Sequence, residues 1–219
     1  MVSIKKFSVL ALALAASSAF AVPVVPVYGA FGSYPAATFG GSGIPNDAVA
    51  TTTLLGSGVT LALTAHQRYS EPAVTNNGAG VFQAVGGAYA PGDNLARWNF
   101  GYDIRGGVSN PRMTYRLFGD YDNAVGNDFS SYTDISIYLA GSMQDSENLG
   151  FGTSFAQFDP NESGEYGFVL VAYNALGAEA GRVAILVDVV GTAVPEPGSL
   201  ALLGLGLAGV AAIRKRKQA

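Results

Sequence analysis

The chain has 219 residues, no cysteine and a formal net charge of -4. The missing cysteines exclude a disulfide framework, a Cys-ligated metal site and a thiol nucleophile. The two ends hold six of the 12 basic residues, so the central part keeps six arginines against 15 acidic residues, a net charge of -9 that opposes binding to nucleic acid.

Residues 1–21 have the three parts of a secretory signal peptide. Lys5 and Lys6 form a basic start, residues 7–16 form an apolar stretch, and Ala19 and Ala21 are the two small residues of a cleavage site. The alternative is a buried N-terminal helix or a lasting membrane anchor, but the apolar stretch is too short to span a bilayer. The sequence therefore predicts export by the secretion machinery.

The residues after the leader change in character at about position 51. Residues 22–50 are rich in Pro, Gly, Ala and Ser, so we expect an extended lead-in. Further on, β-branched and alternating apolar residues predict strands over residues 51–63, 81–89, 113–118 and 135–139. No segment carries apolar residues at a period of 3.6 over ten positions, so no helix longer than a turn or two is expected in the body.

The last two predicted strands follow a turn-rich corner at residues 159–164. Each strand has four alternating apolar residues on one face: Tyr166, Phe168, Leu170 and Ala172, then Val183, Ile185, Val187 and Val189. A tyrosine just after such a corner is typical of the tyrosine corner of Greek-key sandwiches, where the phenol braces the loop. A plain hairpin with an exposed tyrosine is the alternative. Residues 51–191 are thus predicted to form an all-β fold, an antiparallel β-sandwich of Ig-like or jelly-roll type.

Residues 120–128 place oxygen-bearing side chains around a glycine. Asp120, Asp122 and Asp128 would offer carboxylates to a hard cation such as calcium. The loop is not an EF-hand, because Ala124 occupies the fifth position and the twelfth is not Glu. An acidic turn after a strand is the alternative, and no other cofactor is expected.

Candidate residues for catalysis or sugar binding are few. His66 is the only histidine, so a Ser/His/Asp triad would have to use it, yet no Gly-x-Ser-x-Gly elbow accompanies it. A surface or strand-end histidine is the simpler interpretation. Trp98, Tyr102 and Tyr121 are candidates for a carbohydrate-binding surface, with core packing as the alternative for Trp98. No catalytic set is recognisable, so we expect a protein that is not an enzyme.

Residues 194–219 form a tail of three parts. Pro195-Glu196-Pro197 excludes both helix and central strand and therefore stays extended and open to a processing enzyme. The 16 apolar residues 198–213 would rise about 24 Å as a helix, slightly less than a hydrocarbon core of about 30 Å. We therefore expect one transmembrane helix that suits a temporary anchor. Four cations follow it and would stay on the cytoplasmic side: Arg214, Lys215, Arg216 and Lys217.

This tail resembles the PEP-CTERM sorting signal, whose Pro-Glu-Pro, apolar helix and basic end it matches in type, order and position. The resemblance implies that an exosortase, a membrane-embedded protease-transpeptidase, recognises Pro195-Glu196-Pro197. It also implies that the helix is removed and that the body is released or transferred to the cell surface. A single-pass anchor that is never cut is the alternative.

The expected function follows from the two ends of the chain. We expect an exported cell-surface or extracellular-matrix protein, structural or interacting, associated with exopolysaccharide in a biofilm. A secreted carbohydrate-binding module or glycoside hydrolase is one alternative, and a calcium-dependent adhesin is another. The expected partners are the exosortase, the secretion machinery, the membrane and exopolysaccharide, and not nucleic acid.

Overall fold

A computed structural model describes residues 26–106, 112–126, 129–140, 142–151 and 158–191. The predicted signal peptide and the tail at 194–219 lie outside these residues. Two short 3₁₀ helices are found at Phe129–Ser131 and Ser136–Ala140. The strands in the described residues are β1 (Ala30–Gly32), β2 (Val49–Thr53), β3 (Thr60–Gln67), β4 (Thr75–Asn76), β5 (Val81–Val85), β6 (Trp98–Arg105), β7 (Thr114–Gly119), β8 (Thr133–Asp134), β9 (Gln144–Glu147), β10 (Gly164–Tyr173) and β11 (Glu179–Val190).

The strands form two sheets that face each other. The five-stranded sheet has the order β1-β2-β3-β6-β9, and the six-stranded sheet has the order β4-β5-β11-β10-β7-β8. Phe100 of β6 stacks on Phe168 of β10 with ring centroids 4.3 Å apart, so the two inner faces share one core. The predicted all-β sandwich is confirmed, and the choice between Ig-like and jelly-roll stays a prediction.

The predicted all-antiparallel pairing is wrong at one place. β5 runs parallel to β11, with Val81 opposite Leu186, whereas the other strand pairs are antiparallel. Parallel neighbours need a long crossover connection. Here the crossover contains strands β6 to β10, some of which belong to each sheet. The sequence pattern of a single strand cannot reveal a pairing partner that is so distant in the chain.

β10 and β11 have the alternation that the sequence predicts. All eight alternating apolar residues named for these strands belong to the main core. Val169, Val171 and Ala184 point the other way into a smaller cluster with Phe118 and Tyr132, so β10 is covered on both faces.

Tyr166 braces the corner that precedes β10. Its side chain is only 2% exposed, and its Oη donates a hydrogen bond to the carbonyl oxygen of Glu162 at 3.4 Å. The predicted tyrosine corner is therefore confirmed, and the alternative of an exposed tyrosine is wrong.

The strand predicted at residues 135–139 is instead a 3₁₀ helix. Ile135 is fully buried and its N–H donates to Leu117 O at 2.8 Å, but Ile137 is 67% exposed. Asp134 Oδ1 accepts the N–H of Ser136 at 2.9 Å. This side-chain bond stabilises a tight turn in place of a strand, so apolar alternation alone gave the wrong element.

The segment expected to be a lead-in contributes to the fold. Val27 exchanges backbone hydrogen bonds with Ala184 in the six-stranded sheet, and β1 pairs with β2 in the other. Residues 33–48, which we call the cover loop, lie over the outer face of the five-stranded sheet. Ala37 and Phe39 of this loop are fully buried there, and the loop thereby creates the site described next.

Candidate functional site

A row of buried polar side chains lies on the outer face of the five-stranded sheet, beneath the cover loop. These side chains come from alternate positions of β3 and β6, whose other positions fill the core. Burying a polar group costs free energy unless the group is hydrogen-bonded, so each of these side chains is expected to have a hydrogen-bond partner. The row consists of Thr64, His66, Asn99 and Asp103, none more than 7% exposed.

His66 has a defined tautomer. Its Nδ1 lies 2.8 Å from the carbonyl oxygen of Gln67, which can only accept, so Nδ1 carries the proton. Its Nε2 lies 3.0 Å from Ser146 Oγ and accepts that hydroxyl. Burial lowers the pKa of His66 and favours this neutral form. The strand-end position predicted for His66 is confirmed, whereas surface exposure is wrong because the side chain is 5% exposed.

Asn148 connects this histidine to the centre of the sheet. The fully buried amide accepts the N–H groups of Ala96 and Gly150 through Oδ1, at 2.9 and 3.0 Å. Its Nδ2 lies 2.8 Å from both Trp98 O and Asn99 Oδ1. Asn99 Nδ2 then donates to Ser146 Oγ at 2.9 Å. A continuous network therefore runs from Asn148 to His66.

The cover loop is fixed by side chains of the sheet. Gln144 Oε1 accepts the N–H groups of Thr38 and Phe39 at 3.0 and 3.1 Å. Arg105 donates through Nη2 to the carbonyl oxygen of Ala36. Because these contacts hold the loop backbone, the space beside it has a defined shape.

Asp103 is a buried carboxylate below the cover loop. Burial raises its pKa, and Arg105, whose Nη2 lies 3.4 Å from Oδ1, opposes this shift. Asp103 Oδ2 and Tyr34 Oη are both buried without a hydrogen bond of ordinary geometry, although they lie close enough to affect each other's pKa. This pair packs the loop onto the sheet at the opposite end from His66.

A groove opens beside residues 39–45 of the cover loop, next to His66 and Ser146. Its cavity volume is about 380 Å³, within the range of about 300–1,000 Å³ that small-ligand sites occupy. In the described residues, the two non-glycine residues with positive φ, Phe39 at 48° and Tyr69 at 49°, both line this groove. Backbone in this region is strained for L-residues and concentrates at functional sites. The groove is therefore our candidate site.

Glu147 of β9 provides a pH-dependent test of this sheet edge. Burial, with a smaller contribution from Asp145, raises the pKa of Glu147 from 4.5 to about 7. The folded state holds the carboxyl proton of Glu147 more tightly than the unfolded chain does. The ionised side chain therefore lowers the free energy of unfolding above pH 7, and this effect is absent below pH 4.5. We expect Glu147→Gln to raise the free energy of unfolding by about 1 kcal/mol at about pH 8, a value reduced for partial exposure, and to change little at about pH 4.5. Urea unfolding measures both, and an equal gain at the two pH values would contradict the assignment.

The structure describes two of the three predicted calcium ligands, Asp120 and Asp122. Asp120 is 3% exposed and its Oδ1 accepts the N–H of Asp122 at 3.0 Å, while Asp122 Oδ1 accepts that of Ala124 at 3.0 Å. Asp128 lies outside the described residues. Within the part of the chain that is described, no group of three or more His, Cys, Asp or Glu side chains could hold a metal ion. Calcium binding at this loop stays a prediction.

Two of the three aromatic residues proposed for a carbohydrate-binding surface are buried. Trp98 and Tyr102 are 2% and 0% exposed and belong to the core, whereas Tyr121 is partly buried against it. The core interpretation of Trp98 is thus confirmed, the surface interpretation is wrong for Trp98 and Tyr102, and sugar binding by Tyr121 stays a prediction. The aromatic ring exposed at the groove is instead that of Tyr69, which is 73% exposed.

The predicted processing residues lie outside the described residues. These are Ala19 and Ala21, Pro195-Glu196-Pro197, and Arg214 to Lys217. In the described ranges, none of the helices has the length and apolar character needed to cross a membrane.

Comparison with known proteins identifies the tail. Residues 193–217 match the family model of the PEP-CTERM protein-sorting motif. This motif implies export, a membrane-anchored precursor and processing by an exosortase. No curated protein and no solved structure matches the chain.

Proposed function

Since the chain carries a PEP-CTERM protein-sorting motif, we propose that its β-sandwich works at the cell surface or in the extracellular matrix as a non-enzymatic structural or interaction protein. The exosortase delivers it there, and exopolysaccharide is the surrounding material. The sorting motif is the observation that carries this proposal, because it implies export and processing of a membrane-anchored precursor by an exosortase.

The position of the motif supports release of an intact body. β11 ends at Val190 and the motif begins at residue 193. β11 lies between β5 and β10 in the six-stranded sheet, so the last strand is paired on both sides. Cutting the chain within the motif therefore removes no residue of the described sandwich.

The body has the charge expected of a soluble extracellular protein. It carries six arginines and 15 acidic residues, which favours solubility and disfavours adsorption to nucleic acid. A calcium-dependent adhesin gains no comparable support, because the described residues bring together no group of three or more His, Cys, Asp or Glu side chains that could hold a metal ion.

Fractionation of host cultures tests the proposed role. We expect an antibody against the body to detect it in the washed matrix and surface fractions of the parent strain. In a strain that makes no exopolysaccharide, we expect the same protein free in the medium. Recovery from the medium in both strains, or from the periplasm in both, would contradict a matrix role while leaving export itself intact.

A further inference from the structure

We propose that the groove beside the cover loop binds a saccharide through one of its carboxylate groups, such as that of a uronic acid unit, at a local positive site in a body whose net charge is -9. In this complex the guanidinium of Arg68 pairs with a sugar carboxylate, and the ring of Tyr69 lies against the apolar face of a sugar ring. The inference extends the proposed function by naming a ligand class, and it rests on that function for the presence of polysaccharide outside the cell.

Arg68 is a cation held by aromatic rings instead of by a carboxylate. Its Cζ lies 5.0 Å from the ring centroids of both Tyr69 and Tyr89 and 5.1 Å from that of Phe151. Rings at these distances stabilise the charge and fix the plane of the guanidinium.

Arg68 forms no salt bridge with any described residue. Four of the six described arginines do form one, Arg97, Arg105, Arg116 and Arg182, and the exceptions are Arg68 and Arg112. The Nε of Arg68 is buried and has no hydrogen-bond partner in the described part of the chain, so the donors that a ligand can use are those of the two terminal nitrogens. These terminal donors match a carboxylate, which can accept two parallel bonds.

Tyr69 places an exposed ring next to this cation at the cost of backbone strain. The residue has φ of 49° and a side chain 73% exposed, so burial of this ring does not offset the strain. A flat ring in solvent can cover the C–H face of a pyranose. The strain is therefore explained if the exposed ring is used for binding.

The remaining walls of the groove suit a ligand rich in hydroxyl groups. Asp145 presents a carboxylate and residues 40–43 present glycine-rich backbone, whereas the polar groups of Asn99 and Ser146 are already bonded within the network that ends at His66. The carboxylate and the backbone can bond sugar hydroxyl groups, while Arg68 supplies the positive charge. A carboxylated saccharide uses both features, whereas a neutral sugar leaves the guanidinium unpaired.

Calorimetric titration of the full-length chain in detergent micelles tests the inference independently of processing. The probes are trigalacturonate, its methyl ester and a triaspartate peptide. We expect the methyl ester to bind at least about tenfold more weakly than the acid, because it loses the charge-assisted hydrogen bond to Arg68. Equal binding of acid and ester, or no binding of the acid at millimolar concentration, would overturn the proposal, and so would equal binding of triaspartate.

Three variants locate the site. Arg68→Met keeps the aliphatic stem among the rings, and we expect it to weaken trigalacturonate binding at least about tenfold. Tyr69→Gly removes the ring and relieves the positive φ, so we expect weaker binding with an unchanged or higher melting temperature. Arg116→Met removes an exposed charge on the other sheet and is the matched control, with unchanged binding. Unchanged binding in Arg68→Met, or a loss in Arg116→Met of the same size, would contradict the assignment of the groove.

Discussion

Replacing Asn148 with alanine is expected to lower the free energy of unfolding by about 3–5 kcal/mol. The substitution leaves the N–H of Ala96, the carbonyl of Trp98 and the amide oxygen of Asn99 without this partner in a buried environment. Each buried polar group left unsatisfied costs about 1–3 kcal/mol. Urea unfolding followed by the fluorescence of Trp98, the one tryptophan in the chain and a buried one, measures the loss.

Asn174→Ala is the matched control for this prediction. Asn174 also accepts two backbone N–H groups, those of Leu176 and Ala178, at 2.9 and 3.1 Å, but in an exposed turn. Water replaces those bonds after the substitution, so we expect a loss of about 1 kcal/mol or less. Equal losses in the two variants would show that the buried network contributes no more than an ordinary turn.

Replacing Pro195-Glu196-Pro197 with three alanines is expected to abolish processing and to leave the full-length chain in the membrane. The motif that matches residues 193–217 begins with this element. Alanine has the highest helix propensity, so the variant extends the predicted apolar helix toward the body and removes the extended stretch a protease needs. Immunoblots of membrane and medium fractions from the host measure the distribution.

Ser199→Ala is the control for the tail, because it changes the apolar run by one hydroxyl and keeps the Pro-Glu-Pro element. We expect it to be processed like the natural chain. Release of a shortened alanine variant into the medium would contradict recognition at this element.

The sequence predicts those features that depend on residues close together in the chain. Period-two alternation located β10 and β11, and the position of Tyr166 after a turn-rich corner predicted that its phenol braces that corner, where it donates to the carbonyl oxygen of Glu162. The tail was predictable because its three parts stand in order within one short segment, and the match at residues 193–217 confirms the family of this signal.

The candidate site was not predictable because distant segments build it. The pairing of β6 with β3 and β9 and the folding of the cover loop onto β3 join residues far apart in the chain. Trp98 and Tyr102 were proposed as surface residues since aromatic rings serve both cores and binding sites. The buried position of Asn148 could not be predicted, because asparagine ordinarily occurs in exposed turns. The Arg68-Tyr69 pair directly after a strand could have indicated the groove, but the positive φ that sets Tyr69 apart appears only in the structure.

The mass of the intact protein, measured in hosts with and without the exosortase, tests the central claim most directly. With the enzyme, we predict an extracellular species that lacks Ile213 and the four cations after it. Without it, we predict a membrane-bound species that keeps them. Protein in the medium that still carries Ile213 and the basic end, or the same species from both hosts, would contradict the account.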